Sequence, residues 1–386
     1  MARPGRGVPA VCGLRTFTGT TGNMYVKQLE WHHFRSLTSG KLAFTQPMVL
    51  VTGDNAQGKT NLLEAVYFAL NGISFRGAKN EHMLQQGQRA LYVKAAIRAK
   101  AGCRHSVVSY SKGKKRALID DRLVPTISRF RASFSCLAFS YHQLQQFLRA
   151  PAWRRRILDT LVLALAPDCF ADMARYRHVV KSRNRLLQGP CRSHDMLAVY
   201  TRDLVRLAAR ITSKRLAFLA DCQQALEDLL DAFPVLQGLQ ARLLLRNRPA
   251  DNCFDTLVDC FTRISQRALP KDRALGFTTW GTAYQDFSFF LANRPLLGYA
   301  SRGQTKLSII LLTLAAATLL YKKNGEYPVL ICDDLASEMS PQNTAALVSL
   351  LAKRPQVFIA DLSQTLCPPQ SMIVRMCNGN PCIERK

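Results

Sequence analysis

The stretch that most constrains the fold is Gly53-Asp54-Asn55-Ala56-Gln57-Gly58-Lys59-Thr60. It fits G-x-x-x-x-G-K-[ST]. It follows the apolar run Met48-Val49-Leu50-Val51 and opens a helical pattern from Lys59 to Leu70, the strand–loop–helix setting this motif requires. Glycines let the backbone curl until several N–H groups face one anion, and the helix N-terminus adds partial positive charge. In such a loop Lys59 reaches the outer phosphates of a nucleotide and the Thr60 hydroxyl ligates Mg²⁺. Every residue from Gly53 to Thr60 is therefore a candidate nucleotide contact, and the chain is committed to an α/β fold.

Two further motifs lie downstream. Ser301-Arg302-Gly303-Gln304 precedes a long apolar helical pattern, and the apolar strand Pro328 to Cys332 ends in Asp333 and Asp334. Asp333 stands where a strand C-terminus would present a carboxylate to Mg²⁺, and Asp334 where a carboxylate could polarise a water. In-line phosphoryl transfer needs little beyond charge neutralisation and an oriented nucleophile. A polar turn after a strand explains the two acids equally well when they are taken alone. An Asn-Lys-x-Asp guanine-reading motif is absent, so ATP rather than GTP is expected. The order phosphate loop, S-x-G-Q, apolar strand with Asp-Asp is that of ABC-type ATPases. In that class the S-x-G-Q of one subunit covers the nucleotide held by the other. The likeness implies an ATP-dependent homodimer, with Ser301, Gln304 and Asp334 as catalytic candidates and Thr60 and Asp333 as the Mg²⁺ ligands.

Periodicity sets the remaining elements. Strands are expected at Tyr25 to Trp31, Pro47 to Thr52, Phe134 to Phe139, Arg242 to Leu245, Gly276 to Trp280, Phe287 to Leu291, Val329 to Cys332 and Val357 to Ala360. Leu91 to Ile119 reads as an antiparallel meander, and Met372 to Glu384 as a terminal hairpin. From Gln143 to about Leu230 the period is helical, with Gly189-Pro190 separating two long helices. Further helices are expected over Asp251 to Leu269, from Gln304, and over Pro341 to Lys353. The predicted architecture is an ABC-type head made from both ends of the chain (24–142 and 276–386) with a helical domain inserted at 143–275. Residues 1–23 are expected to be a disordered, dispensable leader, with Met24 as an alternative start.

Lys plus Arg number 53 against 26 acids, a net charge of +27, which favours a polyanionic partner. Residues 149–215 carry 15 Lys/Arg and five acids. Arg202, Arg206, Arg210 and Lys214 step by four along one helix face, and Arg177, Lys181 and Arg185 do so on the helix before. Like charges at this spacing cost a helix roughly 0.2–0.5 kcal/mol per pair. A DNA backbone would neutralise them in a sequence-independent way, and a solvated face is the alternative. The apolar run Leu307 to Tyr321, closed by Lys306 and Lys322, is short of the roughly 20 residues of a spanning helix, so no membrane role is expected. The 12 scattered cysteines contain no Cys-x-x-Cys and read as reduced thiols of a cytoplasmic protein.

Several segments resemble the RecF family, SMC-like bacterial ATPases of DNA replication and repair. They are His33-Phe34-Arg35, Asn55 to Ala65, Ser74-Phe75-Arg76, Trp153 to Asp159, Lys181 to Leu187, Ser301 to Lys306, and Asp333 to Glu338. The segment around Arg183-Asn184 is the one that separates RecF from other SMC-like heads. The resemblance implies that Arg35 and Arg76 are candidate phosphate contacts, with a solvated or ion-paired arginine as the alternative for each. Asn61 and Glu64 are expected to serve helix packing and local hydrogen bonds. The resemblance also implies a weak DNA-stimulated ATPase that dimerises with ATP on double-stranded DNA near single-strand gaps, with RecO and RecR as partners and recombinase loading as output. The chain departs from the family pattern at Thr282-Ala283-Tyr284, at Ser340, at Tyr141-His142-Gln143 and at Ala360-Asp361-Leu362-Ser363. These changes leave ATP binding intact and put hydrolysis in question, so a nucleotide-gated DNA-binding scaffold is the alternative. A nuclease is disfavoured, because too few residues follow Asp334 for the acidic metal-binding domain it would need.

Overall fold

The computed structural model describes residues 23–189, 194–245, 249, 251–360 and 368–384. The leader, Cys12, Cys191, Arg192, Cys367 and the segment 361–363 lie outside the described residues. The first part of the chain runs β1 (Tyr25–His32), β2 (Gly40–Ala43), β3 (Met48–Thr52), α1 (Lys59–Asn71), β4 (Ala90–Ala99), β5 (Gly102–Ser111), β6 (Lys114–Ile119), β7 (Arg122–Leu123), α2 (Ile127–Ser133) and β8 (Cys136–Ser140). The helical stretch comprises α3 (Tyr141–Arg149), α4 (Pro151–Leu165), α5 (Cys169–Gln188), α6 (His194–Leu230), β9 (Gln240–Leu244) and α7 (Phe254–Leu275). The last part adds β10 (Asp286–Leu291), β11 (Arg294–Pro295), α8 (Arg302–Asn324), β12 (Val329–Asp333), α9 (Pro341–Ala352), β13 (Val357–Ala360), β14 (Met372–Cys377) and β15 (Asn380–Glu384).

The central sheet has the order β15-β14-β3-β13-β12-β8, parallel except for β15. Its strands read as continuous apolar runs because both faces are covered. Val49, Val51, Val329, Ile331 and Phe358 face one core with α1 and the antiparallel sheet β2-β1-β4-β5-β6-β7. Met48, Leu50, Leu330, Cys332 and Ile359 alternate to the other side and face a second core with α4 to α8. Helix α8 is long and apolar enough to cross a bilayer, but 78% of its apolar window is packed inside the protein, so it is a core helix.

The second core runs from Leu158 and Leu226 through Leu311 to Leu347, and β9 pairs with β10. One reading of the sequence needs correction: Gly276 to Trp280 forms no strand. Side chains satisfy its backbone instead of a ladder. Thr278 N donates to Asn184 Oδ1 (2.9 Å) and Thr279 N to Asp272 Oδ1 (2.8 Å). Arg183, fully buried, donates to Asp272 (2.7 Å), Thr278 (2.8 Å) and Thr201 (3.0 Å), and lies over the Trp280 ring. The Arg183-Asn184 segment thus ties α5 to α6, to the end of α7 and to the loop that follows.

Candidate nucleotide-binding site

The loop Gly53–Thr60 leaves the C-terminal end of β3, and Asp333 ends β12, with β13 between them. Ligands of parallel α/β sheets lie at such strand ends. Gly53 (φ 129°) and Gly58 (φ 102°) take left-handed conformations. A Cβ on Gly53 would stand 2.6 Å from Met376 O. The β14–β15 hairpin packs against the loop here. Gly379 N donates to Gln57 O (3.1 Å), Asn378 N donates to Gln57 Oε1, and Thr38 N donates to Gly379 O (3.1 Å). Sequence reasoning finds this hairpin but misses that it braces the loop.

Lys59 is 6% exposed, and its ammonium donates to the loop's own carbonyls, Gly53 O (2.7 Å) and Asp54 O (3.0 Å). Thr60 Oγ1 donates to Asp333 Oδ1 (2.9 Å), joining residues 273 positions apart. A hard cation of the Mg²⁺ type takes oxygen ligands, typically one or two protein groups together with substrate phosphates. The Thr60–Asp333 pair at the mouth of an N–H-rich loop fits that donor set, and the loop and Lys59 fit nucleotide phosphates.

The second half of the site hangs on α8. Ser301 and Gln304 form a capping box: Gln304 N donates to Ser301 Oγ (3.1 Å) and Ser301 N to Gln304 Oε1 (2.9 Å). Both residues thus have a helix-starting role besides any role toward a nucleotide. A Cβ on Gly303 would fall 2.2 Å from Glu338 O, so only glycine fits between α8 and the loop after Asp334. Lys306, fully buried, donates to Asp334 O (2.7 Å), Ser337 O (2.7 Å) and Ser337 Oγ (3.0 Å). Burial pulls the Lys306 pKa down, against the opposing charges of Asp334 and Glu338. Ser337 Oγ in turn donates to Asp334 Oδ2 (2.8 Å), so the carboxylate is oriented by a hydroxyl that Lys306 fixes. A buried lysine at i+5 from the S-x-G-Q serine is the signal for this lock.

Arg35 and Arg76 converge on Glu64. Arg35 grips this fully buried carboxylate in two-pronged fashion (2.9 and 3.1 Å) and also donates to His82 O (2.6 Å). Arg76 stands 3.8 Å from Glu64, and Ser74 Oγ donates to Glu64. Arg35 is therefore an ion-paired arginine that ties the β1–β2 connection to α1, and its guanidinium is committed there. Arg76, more exposed, keeps its place beside Asn61 Oδ1 (3.5 Å) on the first turn of α1.

Ten cations of the basic window fall into three groups. Arg154, Arg183 and Arg215 are buried in two-pronged or multiple contacts to Asp286, Asp272 and Asp159, and so belong to the core. Arg210 and Lys214 are exposed but paired with Asp172 (3.2 Å) and Asp168 (3.6 Å). Arg177, Lys181, Arg185, Arg202 and Arg206 are exposed and have no acid partner among the described residues.

The profile of the RecF/RecN/SMC N terminal domain matches residues 25–383. The chain belongs to the RecF/RecN/SMC family. Within that family it is similar to the DNA replication and repair protein RecF of Symbiobacterium thermophilum, 28% identical over 344 residues, covering 87% of this chain and 91% of the relative. It is 26% identical over 349 residues to RecF of Bacillus subtilis (88% and 94% covered). A solved structure of the recombination mediator protein RecF-ATP superimposes with TM-score 0.84 at 24% identity, covering 95% of this chain and 99% of that one. An Smc head domain from Pyrococcus furiosus gives TM-score 0.51 at 13% identity (94% and 96% covered). At these identities the two structures speak for the fold alone, an α/β ABC-type head.

The fold accounts for three of the departures from the RecF pattern. Ser340 caps α9, accepting from Asn343 N (3.3 Å), which an aspartate would do comparably well. Tyr284 OH donates to Thr278 O (2.9 Å), while the retained Gly281 gives Tyr176 OH the space to accept from Thr282 N (3.0 Å). The retained Asp286 takes both prongs of Arg154 (2.8 and 2.7 Å). Tyr141 OH donates to Glu338 Oε1 (3.0 Å) and accepts from Arg302 (3.3 Å), joining α3 to the loop after Asp334.

Proposed function

We propose that this chain is an ATP-dependent DNA-binding protein of DNA replication and repair, acting as its RecF relatives are named to act. In this reading ATP closes a homodimer on double-stranded or gapped DNA, slow hydrolysis releases it, RecO and RecR are its partners, and help in loading recombinase is the output. The observation that carries the reading is the Thr60–Asp333 hydrogen bond. It brings the phosphate loop and the strand-end acid to one point, as a nucleotide-and-Mg²⁺ site requires.

In this mechanism the loop N–H groups and Lys59 hold the phosphates, Thr60 and Asp333 hold the metal, and Asp334 orients a water through the carboxylate that Ser337 positions. Bound ATP supplies the phosphoanhydride whose hydrolysis resets the dimer. Ser301 and Gln304 start α8 at an exposed edge, where a partner's nucleotide can reach them. Arg177, Lys181, Arg185, Arg202 and Arg206 supply sequence-independent phosphate contacts. A second reading, a nucleotide-gated scaffold with little turnover, rests on the departures from the family pattern at Thr282-Ala283-Tyr284 and Ser340.

The test is DNA retention with ATP and Mg²⁺ for wild type and Lys59→Ala, with turnover read on the same samples. Retention that Lys59→Ala loses supports the clamp, and equal retention without ATP sinks it. Retention without measurable turnover selects the scaffold.

A further inference from the structure

The solvent face of the antiparallel sheet is a second cluster of unneutralised cations, far along the sequence from the helical ridges. Strand alternation sends Leu91, Val93, Ala95 and Ile97 of β4, with Val108 and Tyr110 of β5, into the core. The intervening residues therefore face outward. Register aligns them in rows. Lys41 lies opposite Glu30, Glu30 opposite Lys94, and Lys94 opposite Val107. One row along, His32 lies opposite Tyr92, Tyr92 opposite Ser109, and Ser109 opposite Arg116. Arg98 lies opposite Cys103, and Lys27, at a bulge in β1, reaches across to the Cys103 sulfur (3.8 Å).

Five cations, Lys27, Lys41, Lys94, Arg98 and Arg116, thus share one face and are exposed or half-exposed. None has an ion pair within 4 Å among the described residues. The face carries a single acid in these rows, Glu30. Its carboxyl accepts from Tyr92 OH and is held below the usual range by that bond first and by Lys41, His32 and Lys94 after it. One carboxylate cannot neutralise five cations.

The chemistry of the face selects among polyanions. At about 4.8 Å between strands and 3.3 Å per residue the rows span roughly 20 Å each way, a broad and flat field. No helix or ribbon stands out from it to enter a groove, so it cannot read bases. Tyr92 is stacked on His32 (centroids 4.7 Å, 17° between planes) and so is not open as a platform for unpaired bases. It lacks the central apolar or aromatic anchor that a protein hot spot needs, since Leu118 and Val107 are both half-buried in the sheet. A phosphate backbone is what remains.

We propose that the outer face of this sheet is a second contact surface for double-stranded DNA, binding backbone phosphates without sequence preference. The proposal rests on the reading that the chain binds DNA, and adds where. Lys94→Gln, Arg98→Gln and Arg116→Gln would be combined in one variant. Lys322→Gln, Lys353→Gln and Arg294→Gln, all exposed elsewhere, form the charge-matched control. Affinity for a blunt duplex would be measured across a salt series in the full chain with ATP and Mg²⁺, with thermal midpoint and ATP retention checked for each protein. The sheet variant is expected to lower the slope of log K against log[salt] by roughly 0.9 for each phosphate contact removed, with the control unchanged. Equal losses in both variants would mean bulk charge only and overturn the proposal. So would an unchanged slope in the sheet variant, which would leave the face to some other partner. Absence of duplex binding by the wild type would refute the DNA reading itself, and this proposal with it.

Discussion

Lys306→Met isolates the link between the S-x-G-Q helix and the acid at the end of β12. Methionine keeps most of the apolar stem in place and removes the three donations to Asp334 O, Ser337 O and Ser337 Oγ. Each buried carbonyl left without a donor costs about 1–3 kcal/mol. Against that, the ammonium no longer has to be desolvated, which recovers part of the loss. The expected net destabilisation is about 2–3 kcal/mol. Unfolding entropy of about 2.1 cal/mol/K per residue gives roughly 0.8 kcal/mol/K for a chain of this length, so the thermal midpoint should fall about 3 °C. Function should respond unevenly. Lys59 and Thr60 sit on α1 and are untouched, so ATP affinity should hold, while turnover falls because Ser337 no longer fixes the Asp334 carboxylate. Lys322→Met, on the exposed end of the same helix, is the control and should change stability by less than about 0.5 kcal/mol. Calorimetry, nucleotide titration and a phosphate-release assay read all three quantities. A Lys306→Met protein that melts with its control, or loses affinity in step with turnover, would show that the lysine does not position the acid.

Asp272→Ala should cost about 3–5 kcal/mol, because it strands the fully buried Arg183. Asp203→Ala, whose partner Arg175 is 63% exposed, should cost under about 1 kcal/mol; similar urea midpoints for the two would contradict this ranking. Gly303→Ala places a methyl where Glu338 O stands. It should reduce turnover on the order of tenfold or more, as the roughly 1.4 kcal/mol of a small displacement implies, while ATP stays bound; wild-type turnover would defeat the steric argument. The Lys306 pKa lies below its ordinary 10.5 in the fold, so between the folded value and 10.5 the unfolded chain holds more protons. Stability of wild type relative to Lys306→Met should therefore rise as pH climbs through that window, and that gain should be lost again as pH falls back through the folded value. A difference that is flat with pH would argue against a buried charged lysine.

The parts of the site that depend on local geometry are legible in the sequence. The phosphate loop, the helix it opens and the strand ending in Asp333 each need only neighbours a few positions away, and each stands where periodicity and glycine placement put it. The parts built from distant partners are not. Nothing near Gly53 announces that Met376 O lies against it, and nothing near Thr278 announces that Asn184 and Asp272 will take its hydrogen bonds in place of a strand partner. The helical stretch, read from the change of period at its edges, likewise packs against partners that the sequence does not announce. Its shared core with α8 and β12 is a matter of burial, which periodicity does not measure.

The arginines show where a finer reading of the same letters would have succeeded. Arg183 and Arg185 are two residues apart, yet one is fully buried and the other exposed. Helical phase separates them: Arg183 falls in the stripe Met173, Tyr176, Val179, Leu187, and Arg185 falls outside it. Arg154 shares a stripe with Ile157, Leu158 and Leu161, and Arg215 with Ile211, Phe218 and Cys222. A cation in phase with apolar residues must find a carboxylate partner, because an unpaired buried charge costs several kcal/mol. Asp286, Asp272 and Asp159 are those carboxylates. Counting charge along 149–215 merges these pillars with the exposed cations, whereas phase sorts the pillars out. Applied to strands, where the period is two, the same rule assigns Lys94 and Arg98 to the outer face and leaves them without a partner there. The basic surplus is thus apportioned by periodicity, helix by helix and strand by strand. Its outward-facing share follows from which cations are out of phase with the core, not from how densely they occur in the chain.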